Sequence, residues 1–214
     1  MIDSETNQEC LVSALPSNSE ENFNHRILKK RYGSMPFVVI VLLLLSTSLS
    51  AQSYVPDDGS SQIAFKIRNF GAPVTGKMKR LRGTIRFDVN RITDAHFDVT
   101  VDANTVDTGI GMRDNHLRKK DYFGVEEHPH IRFVSTKAIL TKAGEGLVTG
   151  ILSIKNVSKE ITIPFTYKVE KGLPQFKGEF QINRRNFGVG GKSISLSDDV
   201  KVILFVSVRT DSAN

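Results

Sequence analysis

Beyond about residue 60 the chain alternates apolar and polar residues one by one over most of its length. Ile63, Phe65 and Ile67 are interleaved with Gln62, Lys66 and Arg68, and Ile85, Phe87 and Val89 with Thr84, Arg86 and Asp88. Phe97, Val99 and Val101 are interleaved with His96, Asp98, Thr100 and Asp102. Successive side chains of a strand point to opposite faces, so each segment has one apolar and one wet face; an amphipathic helix would repeat at 3.6 residues instead. The pattern returns at Ile131 and Phe133 and across residues 148–154, 161–169, 176–182 and 200–208. With turn signals such as Asn69-Phe70-Gly71, Lys142-Ala143-Gly144 and Lys171-Gly172 between them, these make about eight strands.

The fold class is therefore all-β and antiparallel, a sandwich or a closed up-and-down barrel. Closure removes the strand edges that invite aggregation, and an eight-stranded barrel leaves room for packed side chains or one slender ligand. Two strands depart from the rule. Pro164 cannot donate to a ladder, which predicts a bulge or a strand start there. The last strand carries Ile203 and Phe205 opposite Val202, Leu204 and Val206, so its outer face needs a cover. The stretch that breaks the alternation supplies a candidate: Met112, His116, Leu117, Lys120 and Asp121 fall at helical spacing. A short helix near residues 111–123 is expected to lie over or plug one end of the barrel.

The N-terminal quarter follows different rules. Residues 1–24 are polar and aperiodic and read as a disordered extension. Residues 25–53 combine a basic stretch (His25, Arg26, Lys29, Lys30, Arg31), the apolar run Phe37–Leu45 and small residues beyond it, the three parts of a signal peptide. The same run also admits an uncleaved anchor, although it is short for a hydrocarbon layer of ~30 Å. Export would place the domain of residues 54–214 in the periplasm or outside the cell. Cys10 is the only cysteine, so no internal disulfide can form. The net charge of +6 comes from Lys and Arg scattered among apolar positions, as on the wet face of a sheet, which argues against a nucleic-acid surface.

The remaining motifs favour no catalyst. Residues 188–193 resemble the tail of a phosphate-binding loop, but Asn186 stands where its first glycine belongs and no helix signal follows. His116, His128 and His130 could suggest zinc, yet Pro129 separates two of them and no carboxylate sits at ligand spacing. Asn156-Val157-Ser158 fits a glycosylation acceptor of low specificity. His116 with Asp114 could form an acid–base pair on a lipid, but no Ser or Cys nucleophile accompanies it. The alternative is an Arg–Asp pair, drawn from Arg113 with Asp114, Asp107 and Asp121 nearby, that fixes the helix to the barrel rim. No metal or cofactor is implied.

Taken in order, the residues resemble the YceI-like family of periplasmic polyisoprenoid-binding proteins across nearly all of residues 54–210. The resemblance runs from Ser61-x-Ile63-x-Phe65-x-Ile67 through Gly83-x-Ile85-x-Phe87 to Val106-Asp107-Thr108-Gly109. It continues through Arg113-Asp114-x-His116-Leu117, Asp121-Tyr122-Phe123 and His128-Pro129-x-Ile131-x-Phe133-x-Ser135. Downstream stand Gly150-x-Leu152-x-Ile154, Thr162-x-Pro164, Phe180-x-Ile182-Asn183-Arg184-x-x-Phe187-Gly188 and Asp198-x-Val200. Lys155-Asn156 occupies a turn where the family usually has His-Gly, and the long polar extension is also atypical.

The resemblance implies an extended lipocalin-like antiparallel barrel whose bore holds an isoprenoid lipid. Candidate bore residues are Ile63, Phe65, Ile67, Phe87, Phe97, Val99 and Phe123, followed by Phe133, Leu152, Phe165, Phe180, Phe187 and Leu204. Polar candidates at the mouth are Arg113, Asp114, His116, Asn183 and Arg184. The function expected is non-enzymatic: holding a quinone or prenyl phosphate for carriage, storage or stress protection. Membrane contact would be transient, for lipid exchange, and homodimer formation is left open. The alternatives are a lipid-modifying enzyme at the mouth or a packed barrel used as an interaction module.

Overall fold

The structure, a computed structural model, describes residues 52–211. The polar extension and nearly all of the signal segment lie outside the described residues; Ser53, counted with that segment above, belongs to the first strand. The alternating segments form one antiparallel sheet of nine strands. They are β1 (Ser53–Pro56), β2 (Gln62–Asn69), β3 (Ala72–Arg86), β4 (His96–Asp107) and β5 (His130–Lys142). β6 (Glu145–Ile154), β7 (Val157–Glu170), β8 (Leu173–Asn183) and β9 (Asp199–Thr210) complete it. One helix, α1 (Gly111–Arg118), follows β4.

The sheet closes because β3 pairs on one side with β2 and on the other with β4. Strands β2 to β9 thus form a barrel of eight, and the short β1 fills the seam below β2, between Arg86 of β3 and Thr210 of β9. Closure needs a bend in the long β3, and the register shifts between Lys77 and Arg82 supply it. There the Asp58 carboxylate accepts the Leu81 N–H at 2.8 Å, replacing a ladder bond lost at the bend. A second shift, after Ser135 in β5, is served by the buried Ser135 hydroxyl, which accepts the Phe97 N–H at 2.8 Å.

Antiparallel order sorts the connections to two ends. The lower end holds residues 87–95 and the tight turns 143–144 and 171–172; the upper end holds residues 70–71, 108–129, 155–156 and 184–198. Alternate residues of the strands meet inside and close the lower end with rings. Phe87 lies 5.0 Å, centroid to centroid, from both Phe176 and Tyr167, and Phe97 lies 5.6 Å from Phe176, all edge-on. Phe165 joins the same group. Such pairs contribute about 0.5–1.5 kcal/mol each beyond their buried area, so the floor is a rigid stopper.

Three expectations are corrected. Pro164 makes no bulge: β7 runs through it in continuous register with β6, and pairing with β8 begins only at the next residue, Phe165. Its missing N–H therefore falls where the neighbouring strand has already parted. The wedge so opened at the upper end is packed by Phe187, buried with Leu152, Ile154 and Val189 and flanked by Val157, Ile161 and Ile182. Secondly, α1 does not cover β9. Arg118 ties it to β4, donating from Nε to the Asn104 carbonyl and from Nη2 to the Val106 carbonyl. The outer side of β9 is shielded by neighbouring stems instead, with Lys177 Nζ 5.8 Å from the Phe205 ring centre. Thirdly, the helix is shorter than its spacing suggests. It ends at Arg118, and residues 119–128 continue as turns whose amides bond back to the carbonyls of His116, Leu117, Arg118, Lys119 and Gly124.

Candidate binding cavity

A cavity of about 280 Å³ runs from the aromatic floor to the upper rim. Phe97, Phe165 and Phe176 form its base. Its waist is lined by Ile63, Phe65, Val99, Phe133, Leu152, Phe180 and Leu204, and Ile67 and Phe123 stand higher. Eleven of the thirteen bore candidates thus lie on the wall. Phe87 and Phe187 do not: Phe87 sits beneath the floor in the ring cluster, and Phe187 fills the β7–β8 wedge. Alternation places a residue on the inner face but does not say how far along the bore the open space extends.

The wall also contains residues that sequence reasoning did not select, among them Met78, Leu81, Val101, Ile131, Val202 and Val206. For Val101, Ile131, Val202 and Val206 alternation with the selected residues was the available signal, whereas the shifts between Lys77 and Arg82 break the period around Met78 and Leu81. The space survives partly because small residues face large ones. Gly178 on β8 lies opposite Leu204, and Gly76 on β3 lies opposite Phe65, whose ring occupies the place of a Cβ on Gly76.

The polar groups concentrate at the upper end, between β4 and α1. Asp114, buried, accepts hydrogen bonds from both the Thr108 N–H and the Thr108 hydroxyl. Arg113 donates from Nε to Thr108 Oγ1 at 2.7 Å and from Nη2 to the Thr108 carbonyl at 2.9 Å. The expected Arg–Asp pair at the rim is therefore replaced by a relay through Thr108. Thr108 and Arg113 line the cavity, and Arg113 has no carboxylate partner among the described residues. Thr108 stands in the Val106-Asp107-Thr108-Gly109 run but follows the end of β4, where alternation no longer says which way a side chain points.

The other mouth candidates have different employment. His116 is exposed and packs against Tyr122 in a tilted arrangement, ring centres 4.8 Å apart, outside the cavity. With Asp114 occupied by Thr108, the two do not form an acid–base pair. Asn183 caps the following turn, accepting the Arg185 N–H at 3.0 Å. Arg184 touches the cavity but is only 4% exposed, and four of its five N–H donors are engaged. It donates to the carbonyls of Ser197, Val189 and Leu196 and to Asp198 Oδ1 at 2.8 Å. Arg184→Met would strand those acceptors and release residues 189–198. A loss of about 2–4 kcal/mol is expected, read as a lower urea midpoint. A midpoint unchanged from wild type would show that the segment is held by something else.

The atypical Lys155-Asn156 turn is built in. Lys155 adopts φ +55, and its Nζ donates to the Lys120 carbonyl at 2.9 Å and the Gly188 carbonyl at 3.0 Å. The side chain thus ties the two loops that roof the β5–β8 side of the upper end. Among the described residues no three metal-ligating side chains converge, and no helix is long and apolar enough to cross a membrane.

An eight-stranded antiparallel barrel, stoppered by rings and enclosing an apolar cavity, is a lipocalin-like architecture. The chain belongs to the YceI-like family, whose domain matches residues 54–208. The UPF0312 protein of Shewanella denitrificans is 30% identical over 174 residues, covering 77% of this chain and 91% of that protein. Among solved structures, Burkholderia cenocepacia BcnA superposes with a TM-score of 0.69 at 24% identity, over 72% of this chain and 99% of its own. A polyisoprenoid binding domain from Saccharophagus degradans, implicated in plant cell wall breakdown, has a TM-score of 0.60 at 15% identity. It covers 74% of this chain and 99% of its own. These two likenesses establish the shared barrel.

Proposed function

We propose that this protein is an exported, non-enzymatic carrier or reservoir that holds one long isoprenoid, of quinone or prenyl phosphate type, in the barrel. The observation that carries the reading is the cavity. At about 24 cal/mol per Å³, a void of about 280 Å³ costs on the order of 7 kcal/mol if left empty. A whole domain is stable by only about 5–15 kcal/mol, so an apolar guest accounts for such a space better than vacuum does. Water is a poor guest, because the wall offers it almost no polar partner.

A prenyl chain fits the chemistry of that wall, since each buried methylene contributes ~0.8 kcal/mol without any directional contact. The head group would reach the upper end, where the Arg113 guanidinium and the Thr108 hydroxyl offer the polar contacts of the mouth. The likeness to a polyisoprenoid binding domain and the family membership support this direction.

The direct test is mass spectrometry of lipid extracted from natively purified protein. A prenyl lipid in stoichiometric amount is expected. Protein that purifies empty from several sources and takes up no added prenyl lipid would sink the proposal. If the head group is anionic, Arg113→Gln should weaken binding by about tenfold, the share of one charge-assisted hydrogen bond. A prenol of the same chain length should bind both proteins alike, and an equal loss for both lipids would place the head group elsewhere.

A further inference from the structure

We infer that the upper rim is a docking surface for an anionic lipid bilayer, seating the cavity mouth against the membrane; this rests on the lipid-binding reading above. Of the seven exposed large apolar side chains among the described residues, Val89, Ile139 and Val169 lie toward the lower end at 39–60%, and the three most exposed all lie at the upper end. Phe70 is 82% exposed, Met112 85%, Ile194 fully exposed and Ile110 52%, and all four belong to upper-end connections. Each lies within two residues of the cavity lining. Phe70 follows Asn69, Ile110 and Met112 lie within the segment from Thr108 to Arg113, and Ile194 precedes Leu196 by two.

Two of these side chains are held together by the backbone. The Phe70 N–H donates to the Ser195 carbonyl at 2.8 Å, the Ser197 N–H donates to the Arg68 carbonyl at 2.9 Å, and Asn69 bridges to Leu196. The β2–β3 turn also places an aromatic residue where the backbone disfavours one. Phe70 has φ +49 and Gly71 φ +75, a two-residue turn in which Asn-Gly is the usual occupant. The turn thus accepts local strain and presents a ring to solvent.

Charge complements the apolar crown. Arg68, Arg113 and Lys192 lie beside it, and none has a carboxylate partner among the described residues. An exposed ring and aliphatics beside cations that no carboxylate neutralises are the composition of a surface that settles at the head-group level of an anionic bilayer. A long prenyl chain crossing open water loses stability with each methylene exposed. A mouth seated on the bilayer gives the chain a continuous apolar path, and the aromatic floor at the far end requires that entry be from this side.

The chain contains no tryptophan, which makes a single introduced indole a clean reporter. Phe70→Trp places it on the rim. Val169→Trp places it at an exposed position, 60% accessible, beside the lower-end turn. Each full-length protein is titrated with phosphatidylcholine–phosphatidylglycerol vesicles carrying a brominated phospholipid. Emission from the Phe70→Trp protein is expected to shift to the blue and be quenched, less so in high salt, while the Val169→Trp protein stays unchanged. Quenching of neither protein, or of both equally, overturns the docking face. So does a blue shift of the Phe70→Trp protein that depends on protein concentration and not on vesicles, which would make the rim a self-association surface. Uptake of a prenyl lipid from detergent micelles is measured in parallel. A silent rim with normal uptake defeats docking alone, whereas absent uptake defeats the lipid-binding reading whatever the rim does.

Discussion

Gly83→Ala is expected to destabilise the barrel by about 3–5 kcal/mol, lowering Tm by on the order of 10 °C. Two effects act together at this position. Gly83 has φ +129, a conformation open in practice to glycine alone, and a Cβ built there would lie 2.0 Å from the Asp98 carbonyl oxygen and 2.8 Å from the Val99 Cα. Both obstructing atoms are backbone, so no side-chain rotation relieves them. Gly83 pairs with Val99 in the β3–β4 seam, the contact that turns an open sheet into a barrel. Gly172→Ala is the control: its φ is +80, but nothing lies within 4 Å of the added carbon, so only the dihedral cost of about 1 kcal/mol remains. Equal losses in the two proteins, compared by calorimetry, would show that the seam is not closed as described.

That seam also marks where reading the chain reaches its limit. Alternation at Ile63, Ile85, Phe97 and their counterparts made strands and an apolar face legible, because side-chain direction has a period of two. It could not reveal which strands close the ring, since closure is made at an irregularity: the shifts from Lys77 to Arg82, Asp58 reaching across to Leu81, and Arg80 at φ +61. The same limit explains Pro164. A missing donor requires an unpaired neighbour, and β8 parts from β7 there without any local sign in β7 itself. Phe87 and Phe187 alternate as wall residues do, yet depth along the bore and the β7–β8 wedge remove them from the cavity. Arg184 was visible as a charge near the mouth, but its four acceptors come from residues 189–198, which carry no periodicity. Phe70, Met112 and Ile194 were the least legible, because an apolar residue in a sequence looks the same whether it ends in a core or on the surface.

Val202→Trp is expected to abolish prenyl-lipid binding, by at least about 100-fold, while leaving the fold as stable as before or more so. Val202 lines the cavity and is flanked across its two ladders by Phe65 on β2 and Phe180 on β8. An indole at that position projects into the space a guest would use and displaces at least one isoprene unit. Losing the burial of its carbons removes roughly 3 kcal/mol of binding, which is slightly more than 100-fold. The sign of the stability change carries the larger lesson. In a packed core, inserting so much volume forces neighbours off their rotamers and costs about 1–3 kcal/mol. In a real cavity the indole finds partners instead, replacing void with dispersion contacts and lowering the cost of empty space. Lost binding with an unchanged or raised Tm therefore identifies the bore as the ligand site. A lowered Tm with lipid still bound would make the barrel a solid core and place any lipid outside it. Because the chain has no other tryptophan, emission from the indole reports the bore directly. It should be blue and insensitive to aqueous quenchers, as a dry cavity with an aromatic floor demands.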